Sequence, residues 1–335
     1  MKQARNEHKE KLLREIVKVV GEHERFAIFS HEEPDGDAIG SQVALTLALR
    51  ELGKSVVSVR LDNVPPCLGF LNRDNTIEKY DPEKDNEKIL EADVTFTLDT
   101  CDYFRMGDIG NLVKGSPSLK INIDHHRDNA FFGDIDFVRF IAGGTAEMVF
   151  EVIKALGVTI EGIIAEAIYI GLSTDTLGFK YIDPDGNMIV VISELVKGGI
   201  RIEDLQERLY YNRPDTYLTD LANILEKVHY EENGAIAWFV FKKREQLTYY
   251  QRELTSEALH QLLSMKRVRA AVMLHEERTG VEVWLRSKTD VDVGKAAENV
   301  GGGGHRTAAG ALIRGASLDE AIQEVLANVK AAFTY

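Results

Sequence analysis

Cysteine is nearly missing: 335 residues contain only Cys67 and Cys101. They lie far apart and lack the paired spacing of a zinc site, which excludes a disulfide framework and suits a reducing compartment. Long apolar runs are missing too. None approaches the ~20 residues that span a bilayer, and Met1 to Glu7 lacks the apolar core of a secretory signal. A cytoplasmic protein without a membrane partner is the expectation. Positive charge is also short, with a formal net charge of −14. Affinity for long duplex DNA rests on many Lys/Arg–phosphate contacts, so the balance argues against a partner of that kind. No Gly-Lys-Ser/Thr phosphate loop, nucleophile elbow or internal repeat occurs.

What is present is ordinary globular material, 44% hydrophobic and 28% charged, in a chain long enough for two cores. Residues 8–20 have a helical period with Leu12, Ile16, Val19 and Val20 on one face. The runs Phe26–Ser30, Val56–Val59, Val94–Leu98 and Leu119–Ile123 predict strands. Helices are predicted at 38–52, ending at Gly53, and at 145–156, 162–174 and 187–197. Alternating strands and helices predict an α/β domain over 1–190 with a doubly wound, mainly parallel sheet. Residues 191–224, charged and helical in period, predict a connector. Over 225–335 the strands Ala235–Phe241, Ala270–Leu274 and Val281–Leu285, the last two joined by a turn at Thr279-Gly280, predict a smaller mixed-sheet α/β domain.

Acidic and imidazole residues gather where the apolar segments end. His31-Glu32-Glu33-Pro34-Asp35-Gly36-Asp37 follows the first strand, Asp99 the third and Asp124-His125-His126 the fourth, while Asp175 ends a helix. Ligands of open parallel sheets collect beyond the carboxyl ends of the strands. Carboxylates with neutral imidazoles suit Mn²⁺, Mg²⁺ or Zn²⁺. An EF-hand reading of Asp35-Gly36-Asp37 fails, because Ile39 and Thr46 would occupy ligand positions. Singly, each residue has a plain structural explanation: Asp99 and Asp175 as turn or cap residues, Asp35 and Asp37 as solvated acids, each histidine as a buried, hydrogen-bonded group. His125 and His126 would face opposite ways on a strand; in a loop, one can ligate metal while the other addresses substrate. Together, four carboxylates and two imidazoles predict two divalent ions ~3.5–4 Å apart with one bridging carboxylate, an arrangement suited to phosphoryl chemistry.

A second constellation joins Arg286-Ser287 to Asn299-Val300-Gly301-Gly302-Gly303-Gly304-His305-Arg306-Thr307-Ala308-Ala309-Gly310. Between residues 265 and 315, nine Lys/Arg stand against six Asp/Glu, in an otherwise acidic chain. Four glycines can wrap consecutive backbone N–H groups around an anion. With Arg286, His305 and Arg306 beside them they predict a phosphate- or nucleotide-binding loop; a flexible linker is the alternative for glycines alone.

These motifs resemble those of the DHH phosphoesterase family, and within it the bacterial nano-RNase/pAp-phosphatase group, which has a C-terminal DHH-associated domain. The likeness covers nearly the whole chain. Residues 31–41 are similar to the first motif, Asp99 to Arg105 to the second, Asp124-His125-His126 to the eponymous triplet, Gly171 to Thr176 to the fourth, and Gly301–Gly310 to the C-terminal signature. The resemblance implies that His31, Asp35 and Asp99 hold one Mn²⁺ and that Asp37, Asp99, His125 and Asp175 hold the other, with Mg or Co as substitutes. Asp99 and His126 would be the catalytic pair, His126 near the scissile phosphate. Arg286, Gly304 and His305, with Arg105 and Asn299, would grip a substrate phosphate. It further implies a Mn-dependent phosphodiesterase or phosphatase, with short single-stranded RNA (nanoRNA), linear dinucleotides such as pApA, or 3′-phosphoadenosine 5′-phosphate as substrate. Hydrolysis would proceed by in-line attack of a hydroxide bridging the ions, and a homodimer is an open assembly. The rivals are a cyclic-dinucleotide phosphodiesterase, an inorganic pyrophosphatase, a single-strand exonuclease and a non-catalytic nucleotide sensor. Two positions depart from the pattern: Val300 stands where relatives often carry an aromatic, and Ile182-Asp183-Pro184-Asp185 lacks a small polar stretch.

Overall fold

Successive residues of the first apolar run enter different cores: Phe26 and Ile28 pack in one, Ala27 and Phe29 in another. A strand covered on both faces shows no polar alternation, which is the mark of a buried parallel sheet. The computed structural model describes residues 2–180, 187–242 and 247–333; the departure at Ile182-Asp183-Pro184-Asp185 lies outside them. The chain divides into two units, Met1–Asn212 and Arg213–Tyr335.

The first unit runs α1 (Lys2–Glu22), β1 (Arg25–Ser30), α2 (Gly36–Glu51), β2 (Ser55–Arg60), β3 (Glu78–Lys79), α3 (Pro82–Leu90), β4 (Val94–Leu98), α4 (Gly107–Gly115), β5 (Leu119–Asp124), β6 (Ile135–Val138), α5 (Thr145–Ala155), α6 (Gly162–Asp175), α7 (Met188–Lys197) and α8 (Ile202–Tyr210). Its strands form one parallel sheet in the order β3-β2-β1-β4-β5-β6, the doubly wound arrangement expected. Strand order reverses between β1 and β4, and at such a point a crevice opens beyond the strand ends. His31 and Asp99 follow those two strands directly. Helices α2 and α6 cross closely: a Cβ at Gly40 would collide with the Ala167 carbonyl oxygen, and one at Gly36 with the Thr174 side chain. Glycine at these two places brings the start of α2 against the end of α6, where Asp175 sits.

The second unit runs α9 (Tyr217–Leu225), β7 (His229–Glu231), β8 (Ile236–Phe241), α10 (Tyr249–Ser264), β9 (Ala270–Glu276), β10 (Gly280–Ser287), α11 (Val293–Glu298), β11 (Gly303–His305), β12 (Ala308–Arg314) and α12 (Leu318–Ala331). The sheet order is β11-β12-β10-β9-β8-β7, antiparallel except for the β8–β9 pair, so it is mixed as expected. One face packs Val272, Leu274, Val283 and Leu285 against α11 and α12; the other packs Phe239, Ala271 and Met273 against α10.

Residues 191–224, expected as a connector, contribute to both cores. Leu195, Leu205 and Leu209 are buried in the first core, Tyr217 and Ile224 in the second, because their helical spacing gives each short helix an apolar stripe. The glycine run is not an open loop wrapping an anion. Gly301 N–H donates to Glu298 O at 3.1 Å and Gly302 N–H to Ala297 O at 2.9 Å, which closes α11. Gly303–His305 then pairs with Ala308–Gly310 in a hairpin. Gly301 has φ +82°, the left-handed conformation of a helix cap, and a Cβ at Gly302 would strike the Gly310 carbonyl oxygen. Among the described residues no helix is long and apolar enough to cross a membrane.

Candidate metal centre

Five helix and strand ends, of β1, α2, β4, β5 and α6, deliver the acidic and imidazole groups. His31 Nδ1 lies 2.5 Å from the Glu32 carbonyl oxygen, and Nε2 lies 3.4 Å from Asp99 Oδ2 and 3.9 Å from Asp35 Oδ1. Asp35 caps α2, its Oδ1 accepting the N–H groups of Asp37 and Ala38 at 3.0 Å each, which is why an aspartate suits this turn. Asp37 is fully buried in the first turn of α2. Its carboxylate also crosses the start of α5, accepting Thr145 N–H at 2.6 Å and Ala146 N–H at 2.8 Å. Two helix N-termini therefore favour its negative form.

Asp99 is the centre of the cluster. It is 1% exposed and has φ +54°, a conformation that non-glycine residues adopt at a cost and that gathers at functional sites. Its Oδ1 lies 3.6 Å from His125 Nε2, 3.8 Å from His126 Nδ1 and 3.0 Å from Thr145 Oγ1. His125 Nε2 lies 3.9 Å from Asp37 Oδ2, and its Nδ1 3.8 Å from Asp175 Oδ2. His31, Asp35 and Asp99 thus form one group of donor atoms and Asp37, His125 and Asp175 another, each within 4.8 Å, with Asp99 beside both. β5 ends at Asp124, so the two histidines leave the strand and both turn toward Asp99, their ring centroids 4.8 Å apart.

The electrostatics test whether a cation belongs there. Burial pushes Asp37 far above the ordinary carboxylate range, and the charges of Asp99, Asp175 and Asp35 push it further. Asp175 keeps 29% of its side-chain exposure. Loss of solvent and the charges of Asp99 and Asp35 raise it to about 6 against the pull of His125. Burial would raise Asp99 also, but a hydrogen bond from His31 and the charges of three imidazoles outweigh it and hold the group below its ordinary value. Carboxylates this close repel one another unless a cation neutralises them. Oxygen and imidazole donors in two adjoining sets fit a pair of borderline-hard divalent ions.

Thr145 and Arg60 were not expected from the sequence, and Asp124, although part of the expected triplet, had no role of its own there. Thr145 holds both Asp99 and Asp37; only Gly143-Gly144 before an apolar helix hinted at a helix start there. Asp124 is fully buried and bonds His126 Nδ1 at 2.7 Å. Burial would lower His126, yet this bond and the charges of Asp124 and Asp99 raise it to about 9. Arg60, buried at the end of β2, donates to His31 O at 2.5 Å and to Gln42 Oε1 at 3.0 Å, and contacts Ser30 Oγ; burial lowers it to about 10.

Arg105 is exposed after β4, its backbone N–H capped by Asp102 Oδ1 at 3.0 Å. In the second unit Arg286 pairs with Ala308, and Ala308 with His305, in one row across the sheet, next to the Gly304–Ala309 pair. Asn299 ends α11 with its side chain 3.0 Å from Asn328 Oδ1.

The DHH family, N-terminal domain, matches residues 25–172, and the DHHA1 domain matches residues 245–333. The bifunctional oligoribonuclease and PAP phosphatase NrnA of Thermus thermophilus is 31% identical over 326 residues, covering 97% of this chain and 95% of that protein. Its namesake in Bacillus subtilis is 27% identical over 319 residues, covering 94% and 97%. The crystal structure of an exopolyphosphatase-related protein from Bacteroides fragilis matches with a TM-score of 0.85 at 28% identity, over 96% of each chain. With both domains matched and the identity running nearly end to end, the chain belongs to the DHH family and carries a DHHA1 domain in its C-terminal part.

Proposed function

We propose that the protein is a metal-dependent phosphoesterase of the cytoplasm that hydrolyses short oligoribonucleotides, linear dinucleotides such as pApA, and 3′-phosphoadenosine 5′-phosphate. The observation that carries this reading is the convergence of His31, Asp35, Asp37, His125 and Asp175 around Asp99. Relatives matched along almost the whole chain are named as oligoribonuclease and PAP phosphatase.

His31, Asp35 and Asp99 would hold one Mn²⁺, and Asp37, Asp99, His125 and Asp175 a second. Bound there, the pair would supply an activated water and offset charge on the phosphoryl oxygens. His126, kept protonated by Asp124, brings a positive charge and an Nε2–H donor to a phosphoryl oxygen as its charge grows. Thr145 fixes the Asp99 carboxylate, so the ligand does not reorganise during the reaction. In the DHHA1 domain Arg286 and His305 would grip a second phosphate with charge-assisted bonds. Gly304 keeps the adjoining backbone low, and Arg105 and Asn299 are further polar contacts. Few phosphate contacts and an acidic chain favour short substrates.

A turnover panel with Mn²⁺ tests the proposal, comparing pAp, pApA, a cyclic dinucleotide, pyrophosphate and RNAs from two to about twenty nucleotides. The expected ranking puts pAp, pApA and RNAs of two to about five nucleotides above the long strand, with pyrophosphate inert. Highest kcat/KM on pyrophosphate would replace the reading with a pyrophosphatase, and on the long strand with a processive exonuclease.

A further inference from the structure

The sheet face that α10 covers continues beyond that helix. Cross-strand partners point to the same face, as do alternate residues along a strand. The register therefore sets out three rows on this face: Glu282 with Leu312; Trp284 with Gly310 and Gly303; Arg286 with Ala308 and His305. The opposite face carries Val281, Val283, Leu285 and Ala309 into the core with α11 and α12. Outward from Met273, which is buried with α10, the middle row is thus one indole and two glycines.

Trp284 is partly exposed and firmly braced. Its Nε1–H donates to Glu282 Oε1 at 2.8 Å. Arg252 of α10 bonds the same oxygen at 3.1 Å and lies over the ring, its guanidinium carbon 5.4 Å from the centroid. Braced this way, the indole does not spread over its glycine partner. A Cβ at Gly310 would meet only the Val283 carbonyl oxygen, at 3.2 Å; among the described residues no side chain comes within 4 Å, Trp284 included. An aromatic wall therefore stands beside a glycine floor, one row from a guanidinium and an imidazole.

We infer that Trp284 is a nucleobase-stacking subsite: a base lies against the indole above Gly310, with its phosphate toward Arg286 and His305. Adjacent rows on one face are two residues apart, about 6.8 Å along the strand, the reach of one ribose between base and phosphate. Every base offers a π-face, so such a platform selects for a base without reading its identity. Val300, before the glycines, is buried and aliphatic; the stacking surface is on β10 instead. The inference rests on the proposed nucleotide substrate and adds the residue that holds its base.

The chain has two tryptophans, so Trp238→Phe leaves Trp284 as sole reporter. Titrating that protein with adenosine 3′,5′-bisphosphate, with Mg²⁺ and with EDTA, is expected to quench the fluorescence, whereas base-free ribose 3,5-bisphosphate leaves it unchanged. Trp284→Ala should raise KM for pApA roughly five- to 150-fold with little change in kcat, and Trp284→Phe should restore most of it. Turnover of the base-free bisphosphate should be the same in all three proteins. Absence of quenching in both titrations, or equal loss by Trp284→Ala on the base-free compound, would overturn the subsite. If no nucleotide is turned over by any form, the proposed activity fails, and the quenching still decides the subsite.

Discussion

His126 Nδ1 and Asp124 Oδ1 are 2.7 Å apart, and the Asp124 carboxylate is itself held by Asn129 Nδ2 at 2.6 Å. The two residues of one triplet thus form an ion pair: burial would raise Asp124, but the bond and charge of His126 outweigh it and hold the carboxylate below its ordinary value, while His126 rises to about 9. An imidazolium that must stay protonated loses activity as pH rises through its pKa. Asp124→Asn removes the charge that raises it, so the alkaline limb of kcat should move to lower pH, with kcat falling about 100-fold. A pH–rate profile measures both; an unmoved limb would show that His126 does not act as a protonated group.

Arg286→Ala and His305→Ala should each lower kcat/KM on pAp or pApA roughly ten- to a thousand-fold, the loss of one or two charge-assisted contacts. Metal content by elemental analysis should stay at the level of the unsubstituted protein. Loss of metal, or full activity on every nucleotide, would remove these residues from substrate binding.

How far the sequence revealed this arrangement follows from which interactions are local. His31, Asp99 and His125 stood out because each follows an uninterrupted apolar strand, and a sheet buried on both faces writes that pattern directly. Thr145 did not, since its role depends on a start of α5 lying against α2, a contact no local pattern encodes. The run Gly303–His305 has no side-chain alternation, and only pairing with Ala308–Gly310 makes it a strand. Helices α10 and α12 carry their own start signals: Thr248 with Gln251 and Ser317 with Glu320 form capping boxes, local patterns present in the residues themselves. Leu205 and Leu209 sit among charges dense enough to suggest solvent, yet four-residue spacing places both on one buried stripe.

Glu282 links stability of the second unit to pH. Burial would raise it, but hydrogen bonds from His275, Trp284 and Arg252, with the charge of Arg252, hold it at about 2 against an ordinary 4.5. The unfolded chain therefore binds the proton first as pH falls, so this contribution is complete above about 4.5 and is lost on descent to about 2. Its upper bound is about 3 kcal/mol. Glu282→Gln should lower the urea-unfolding free energy at neutral pH, and the deficit should shrink below pH 4.5. A deficit independent of pH would mean that packing rather than charge sets the contribution.

Asp99 adjoins both donor groups, so the two-metal account depends on it more than on any other side chain. The most direct measurement is Mn²⁺ content by elemental analysis, paired with turnover of pAp, for the native chain, its EDTA-stripped form and Asp99→Asn. Two Mn²⁺ per native chain are expected, with reduced occupancy in Asp99→Asn and at least about 100-fold loss of turnover in both altered forms. Near-native turnover in the stripped protein or in Asp99→Asn would contradict the two-metal account.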